Sequence, residues 1–299
     1  MTFTQLEIFA KVAELGSFTA AAEQLGISQS AVSHALRLLE KEWGVTLFSR
    51  KQAHIEVTEV GGNLLIRVRE LLGVSEAIRQ EIDAIRGLSR GVLRVGSFGP
   101  SSSLWLLPKI LGQFQKTYPE IKILVDEADD DEVVDWILER RVDVGFVVLP
   151  EEQLDAVPLF LDQLVAVIPA DHPLAQKKAV SLAELCESPF IMKIVGDGMS
   201  AAEKTLASAN LRPVITHRYS QIITIIKSVE NGDGVSLISD LGLSDQVMSL
   251  CPGVIKKPLI PAVRRSVGLA VPNLKHASPA ASAFLKTAKT MASTLRKPA

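Results

Sequence analysis

The chain has 299 residues, a formal net charge of −2 and two cysteines. That length suits two or three domains, each with its own core, and the slight acidity excludes a general polycation, so any nucleic-acid contact must be local. Cys186 and Cys251 form no CxxC, no apolar run approaches the ~20 residues of a membrane helix, and no basic-then-apolar leader opens the chain; a reduced cytoplasm, away from membranes, is the expected setting.

Residues 1–58 read as short helices and a turn-rich tail. Leu6, Phe9, Val12 and Ala13 recur at helical spacing. Gly16-Ser17 ends that helix, and Ser17 is placed to cap a short Ala-rich helix over Thr19 to Leu25. Gly26-Ile27-Ser28 is a turn. A longer helix runs from about Gln29 to Trp43, and Gly44 stops it.

Thr58 is a good N-cap for one long helix over residues 59–86, and Glu59 suits the positive end of its dipole. Leu64, Val68, Leu71, Ser75, Ile78, Ile82 and Ile85 form a stripe with the 4,3 spacing of a coiled-coil seam. The plainer alternative is a helix packed on its own domain, but the stripe is narrow and its flanks carry Arg67, Arg69, Glu70, Glu76, Arg79 and Glu81. Gly87 to Gly91 reads as a hinge.

Residues 92–299 alternate strands and helices, the mark of a mainly parallel α/β sheet. Strands are expected at residues 92–96, 121–125 and 142–149, with helices at 104–117 and 132–140. A second series begins with a strand at 164–169. It continues with a strand at 190–195, a helix from about Met199, a strand near Thr216, a helix at 222–230 and a strand at 234–238. A late strand at 267–271 precedes a last helix from Ser278.

The densest signal lies in residues 19–36. Two helices cross steeply only over a small residue, which Ala22 supplies, and a tight turn needs a backbone tolerant of positive φ, which Gly26 supplies. Ala21, Leu25, Ile27, Val32 and Ala35 are apolar where the two helices and their support should meet. Ser28 opens the second helix, whose polar face of Gln29, Ser30, Ser33, His34 and Arg37 lies opposite Val32, Leu36 and Leu39. A recognition helix enters the major groove of double-stranded DNA with its N-terminal residues at base edges. Glutamine pairs bidentately with adenine, serine reads either kind of base, and arginine reaches guanine or phosphate. A solvated helix face is the rival reading, and the turn before the helix decides against it. Residues 1–60 hold five basic against seven acidic side chains. Binding therefore rests on positioned contacts and on two tethered heads acting together.

The run Gly16-Ser17-Phe18, Ala20-Ala21-Ala22, Leu25, residues 28–33, Leu39-Glu40, Leu47-Phe48-Ser49-Arg50 and Thr58-Glu59-Val60-Gly61 resembles the N-terminal motif of the LysR-type transcriptional regulators. Leu106-Leu107-Pro108, Phe114, Tyr118-Pro119, and Gly145 after Asp143 are similar to the start of that family's effector domain. This family more often has proline at the position of Ser30 and arginine or glutamine at that of His34, departures that bear on base preference and not on fold. The resemblance implies a winged helix-turn-helix, with Leu47 to Val57 as the wing and Arg50 near phosphates, and a linker helix that pairs two chains. It also implies an effector domain like that of periplasmic solute-binding proteins, with two α/β lobes joined by crossovers near Leu161-Asp162 and Ala262 to Arg265. The implied assembly is a homotetramer made of dimers. The expected divisions are a DNA-binding domain at 1–58, a linker at 59–87 and an effector domain at 88–299. Within the last, one lobe takes about 92–161 and 265–299, and the other about 162–264.

Ligands of open α/β sheets bind beyond the carboxyl ends of the strands. From one lobe that places Ser97, Pro100, Ser101 and Ser102 at a helix start, with Phe146 and Val148 as floor and Asp129 at the rim. The other lobe supplies Lys193 and Gly196. A small organic anion is the expected effector. The rival reading has the serines only capping a helix. Gly196 to Ala201 spells GxGxxA after a strand, but no carboxylate lies between Glu203 and Glu230 to hold a dinucleotide ribose. The acidic run Asp126 to Glu132 reads as a solvated loop leading into a helix, and the five histidines show no ligand spacing. No cofactor, metal or catalytic residue is expected, and the chain reads as a regulator and not as an enzyme. A solute-binding protein in the transport sense is opposed by the helix-turn-helix.

Overall fold

The computed structural model describes residues 1–51, 54–85, 90–196 and 199–292, with the side chains of Arg50, Lys51, His54 and Ala84 outside the description. The chain forms two compact units. The first comprises Met1–Gly91 with Glu139–Arg141, and the second Val92–Leu138 with the chain from Val142 onward.

The first unit holds α1 (Phe3–Leu15), α2 (Phe18–Leu25), α3 (Gln29–Trp43), the strands β1 (Phe48–Lys51) and β2 (His54–Val57), and the 27-residue α4 (Glu59–Ile85). The local signals act as written in the sequence. Ser17 accepts from the Ala20 amide and Ser28 from the Ala31 amide, one N-cap each. Gly26 takes φ 66°, a left-handed conformation that ends α2 and turns the chain toward α3. Ala21, Ala22, Val32, Leu36 and Leu39 are buried around Phe9, whose ring meets the edges of Trp43 and Phe48. Ile27 departs from expectation. It sits at the tip of the turn with 39% of its surface exposed, and only its backbone joins the motif, through its amide on the Ala22 carbonyl.

The wing is the antiparallel pair β1 and β2, in register from Phe48 opposite Val57 to Lys51 opposite His54. It is pinned to the helices by Glu40, whose carboxylate accepts from the Leu47 amide at 2.7 Å. The Thr58 hydroxyl donates to the Thr46 carbonyl and accepts from the Gly61 amide. Gly61 is required by crowding. A Cβ there would lie 2.4 Å from the Leu47 carbonyl oxygen and 2.9 Å from Val57 Cγ1. Gly61→Ala is expected to destabilise the first unit by about 1–3 kcal/mol, read as a lower midpoint in denaturant unfolding of the full chain. An unchanged midpoint would mean that the wing yields freely.

In the second unit β3 (Gly91–Phe98) leads through a π-helical segment, Ser101–Leu106, into α5 (Leu107–Thr117). The helix therefore starts earlier than its apolar pattern predicts. Pro108 has no N–H to give and its ring crowds the carbonyl four residues back. The turn before it is wide, with the Leu107 amide bonded to the Ser102 carbonyl. There follow β4 (Ile121–Ala128), α6 (Asp130–Leu138), β5 (Val144–Leu149), β6 (Asp155–Pro169), α7 (Leu182–Leu185), β7 (Phe190–Lys193), α8 (Ala201–Ser208), β8 (Ile215–Tyr219), α9 (Ile222–Glu230), β9 (Ser236–Ser239), α10 (Asp245–Ser249), β10 (Val254–Pro258), β11 (Arg264–Val271) and α11 (Pro279–Met291).

β6 makes the unit two-lobed. Its first part, Asp155 to Gln163, pairs antiparallel with β11, which pairs antiparallel with β5; β5 in turn lies parallel to β3. From Leu164 to Pro169 the same strand pairs with β9 and β10. One lobe thus carries β3, β4, β5 and β11 with α5, α6 and α11 around a core that includes Leu93, Phe114, Phe146 and Phe284. The other carries the parallel pair β7 and β8, with β9 and β10, over two clusters on opposite faces, centred on Phe190 and on Ile225. The expectation of a mainly parallel sheet is corrected at the crossovers, where β6 and β11 run against their neighbours.

Candidate nucleic-acid interface and ligand cleft

α3 buries Val32, Leu36 and Leu39 and exposes Ser28, Gln29, Ser30, His34 and Arg37, with Ser33 half-buried. The face is self-consistent before any partner arrives. Gln29 Nε2 donates to Ser33 Oγ at 3.2 Å, the Ser28 and Ser30 hydroxyls lie 2.9 Å apart, and Arg37 Nε donates to the Ser33 carbonyl at 3.2 Å. Weak, exposed bonds of this kind exchange readily for bonds to base edges. The side chain of Arg50 lies outside the described residues, as do Asp197 and Gly198 of the GxGxxA turn and residues 86–89 of the hinge.

α4 answers the choice between seam and self-packing in two parts. Its first turns belong to the winged core, where Leu65 and Val68 are buried and Leu64 packs beside them. Leu64 and Val68 are therefore not seam residues. Beyond them Leu71, Val74, Ile78, Ile82 and Ile85 are exposed on the described chain, a stripe of large apolar side chains in which Val74 replaces the expected Ser75.

In the second unit a cleft lies between the lobes, at the carboxyl ends of β3, β4 and β7. It is lined by Phe98, Pro100, Ser101, Asp129, Lys193 and Arg265, among others, and is open to solvent on one side. Pro100, Ser101, Asp129 and Lys193 thus come together as the sequence suggested. Other expected residues stand elsewhere. Ser97 and Ser102 are fully buried beneath the cleft wall. Ser102 Oγ lies 2.8 Å from Ser97 Oγ, accepts from the Phe98 amide and donates to the Phe98 carbonyl, so these serines tie strand to helix and do not cap its N-terminus. Phe146 is fully buried in the core of its lobe and is not a floor residue. Val148 lines a neighbouring recess with Leu149 and Lys204. Gly196 is exposed, its amide 3.4 Å from Asp129 Oδ2.

Two features escaped the sequence. Asp129 is not a solvated rim residue but the partner of Lys193, Nζ to Oδ1 2.6 Å, which joins the two lobes across the cleft; beside it Asp131 pairs with Lys204. Below them the Asp162 side chain, 1% exposed, accepts from Arg265 Nε at 2.7 Å, from Ser239 Oγ at 2.6 Å and from the Leu241 amide at 3.1 Å. Ser239 Oγ lies 3.0 Å from Ser101 Oγ. A continuous polar chain therefore runs from β11 through β6 and β9 to the helix start. Its members are far apart in sequence, and no local pattern announces them. Burial raises the thiol pKa of Cys186 and of Cys251, the latter with help from the nearby Glu230 carboxylate; neither is poised as a thiolate.

A winged helix-turn-helix with an exposed reading face, a long helix and a two-lobed α/β unit with an interlobe cleft together define a ligand-responsive DNA-binding regulator. Over residues 3–62 the chain matches the model of the bacterial regulatory helix-turn-helix protein, lysR family, and over residues 86–293 that of the LysR substrate binding domain. It is 35% identical over 293 residues to the HTH-type transcriptional regulator YvbU of Bacillus subtilis, covering 97% of this chain and 99% of that one. Its fold is similar to that of a full-length OxyR variant from Pseudomonas aeruginosa, at a TM-score of 0.76, 23% identity and coverage of 97% and 95%. It is also similar to full-length CbnR in complex with its target DNA, at 0.64, 22%, 97% and 99%. The chain belongs to the LysR family of DNA-binding transcriptional regulators. No helix among the described residues is long and apolar enough to cross a membrane.

Proposed function

We propose that the chain is a cytoplasmic, non-enzymatic regulator whose hold on a promoter is modulated by a small molecule bound between the lobes of its second unit. Residues 1–58 read double-stranded DNA through Ser28, Gln29, Ser30, Ser33, His34 and Arg37, with Arg50 on phosphate. Residues 59–87 pair two chains along Leu71, Val74, Ile78, Ile82 and Ile85, and two such pairs make a tetramer. Residues 88–299 hold the effector against Pro100, Ser101, Asp129 and Lys193, with Ser97 and Ser102 fixing the backbone beneath.

The observation that carries this reading is the cleft itself. It lies where the carboxyl ends of strands from both lobes converge, the usual place for ligands of α/β sheets. It combines apolar walls with a few convergent polar groups. A ligand touching both lobes binds the open and closed forms unequally, which is the only way it can shift their populations.

A thermal-shift screen of metabolites on the full chain tests the site. A true effector raises the unfolding midpoint with occupancy. Ala201→Trp, which fills the cleft, is expected to abolish that rise, and Ser101→Ala to weaken it, while both leave DNA binding intact. An effector whose shift survives both substitutions binds elsewhere and overturns the assignment.

A further inference from the structure

The charges of the cleft do not suit a simple anion. Its lining carries Asp129 and Asp130 with Lys193 and Arg265, and the buried Asp162 beneath them holds Arg265. Arg265 is committed to Asp162, which is buried and has nowhere else to turn. Lys193 is committed to Asp129 at 2.6 Å, in a pair about 70% shielded from solvent. A carboxylate entering alone must take Lys193 from Asp129 and leave that carboxylate beside it, like charge against like charge. An amine entering alone claims Asp129 and strands Lys193. Either ligand exchanges one ion pair for another and gains little.

A ligand with both charges escapes this. Its carboxylate takes Lys193, its ammonium takes Asp129, and one ion pair becomes two. Most of the remaining lining is apolar, with Phe98, Leu164, Val195, Ile222 and Leu237 around the charged pair and the hydroxyls of Ser101, Ser200 and Ser239 among them. Building on the reading of the cleft as the effector site, we propose that the effector is a small zwitterion with an apolar side chain, of the α-amino-acid type, inserted into the Asp129–Lys193 pair. The pair that links the lobes without ligand then becomes the recognition device for both ends of the ligand. The lobes stay bridged, now through the ligand.

The probes are matched sets: L-leucine, 4-methylpentanoate and 3-methylbutylamine, then L-phenylalanine, 3-phenylpropanoate and 2-phenylethylamine, extended in the same way over the apolar amino acids. Binding to the full chain is read by thermal shift and titration calorimetry. At least one zwitterion is expected to bind, with its carboxylate-only and amine-only relatives roughly tenfold weaker or worse. Asp129→Asn is expected to weaken the zwitterion roughly tenfold and to improve the carboxylate-only probe, since Lys193 is then released. Lys193→Gln is expected to do the converse for the amine-only probe. Both side chains are partly exposed, so neither change threatens folding. Equal binding of carboxylate and zwitterion by the unaltered chain, a preference untouched by Asp129→Asn, or no binding by any zwitterion overturns the proposal. The cleft reading falls separately, if the effector found by the metabolite screen is indifferent to Ala201→Trp.

Discussion

Replacing Leu71 and Ile78 together by glutamate is expected to break the pairing of two chains through α4. Both side chains are about half exposed on the described chain, 46% and 51%. The substitutions therefore cost the isolated fold little. Paired α4 helices would instead bury four new carboxylates without partners, each at a cost of several kcal/mol. The dimer dissociation constant should rise by at least roughly a thousandfold. With the heads no longer paired through α4, DNA binding loses the effective concentration of the second head, worth about 10²–10⁴ in affinity. Sedimentation velocity should show a smaller assembly with an unchanged circular dichroism spectrum. An unaltered assembly would mean that the stripe serves something other than pairing. Equivalent charges at Leu65 or Val68 should unfold the winged domain instead, because those residues lie in its core.

Arg265→Met should strongly destabilise the second unit. It removes the cation from a carboxylate that is 1% exposed and leaves Asp162, among the described residues, with Ser239 and the Leu241 amide. Removing one partner of a buried pair costs about 3–5 kcal/mol, because the remaining charge is stranded. For a unit of this size that lowers the unfolding midpoint by roughly 10 °C. The double change Arg265→Met, Asp162→Leu should recover much of the loss, since neither charge is then left unpaired. Calorimetry of the three variants decides the point. If the double variant is no better than the single, the network is held together by packing and not by charge.

The helix-turn-helix was legible because its instructions are local. Ser17, Gly26 and Ser28 cap or turn within a few residues of where they stand, and Val32, Leu36 and Leu39 follow a 3.6-residue period. The linker stripe was legible for the same reason, but periodicity alone does not say which neighbour a helix face meets. Leu64 and Val68 match the seam and yet pack on their own domain. Strands of the second unit are legible where a short apolar run marks them, as at 142–149 and 267–271. Of the fifteen residues of β6 the sequence shows only 164–169 as strand; 155–163 escape, because Pro158 and the charged Asp155 and Asp162 interrupt the pattern of a strand whose partners change halfway. β10 was missed since Lys256 and Lys257 mask its alternation. In the cleft, the backbone position of Pro100, Ser101 and Lys193 followed from strand ends, whereas the bond from Arg265 to Asp162 joins positions 103 residues apart. Phe146 was placed on the floor from its position near a strand end, but the pleat turns it into the core.

Fluorescence anisotropy with DNA from upstream of the chain's own gene, at one fixed salt concentration, tests the central claim that α3 reads sequence. The unaltered protein should prefer that DNA over unrelated duplex of equal length. Gln29→Ala with Ser33→Ala should remove roughly 1–3 kcal/mol for each hydrogen bond to a base edge that the substitution deletes, and leave the weaker, sequence-independent binding in place. Operator affinity and sequence preference unchanged in that double variant would contradict the account.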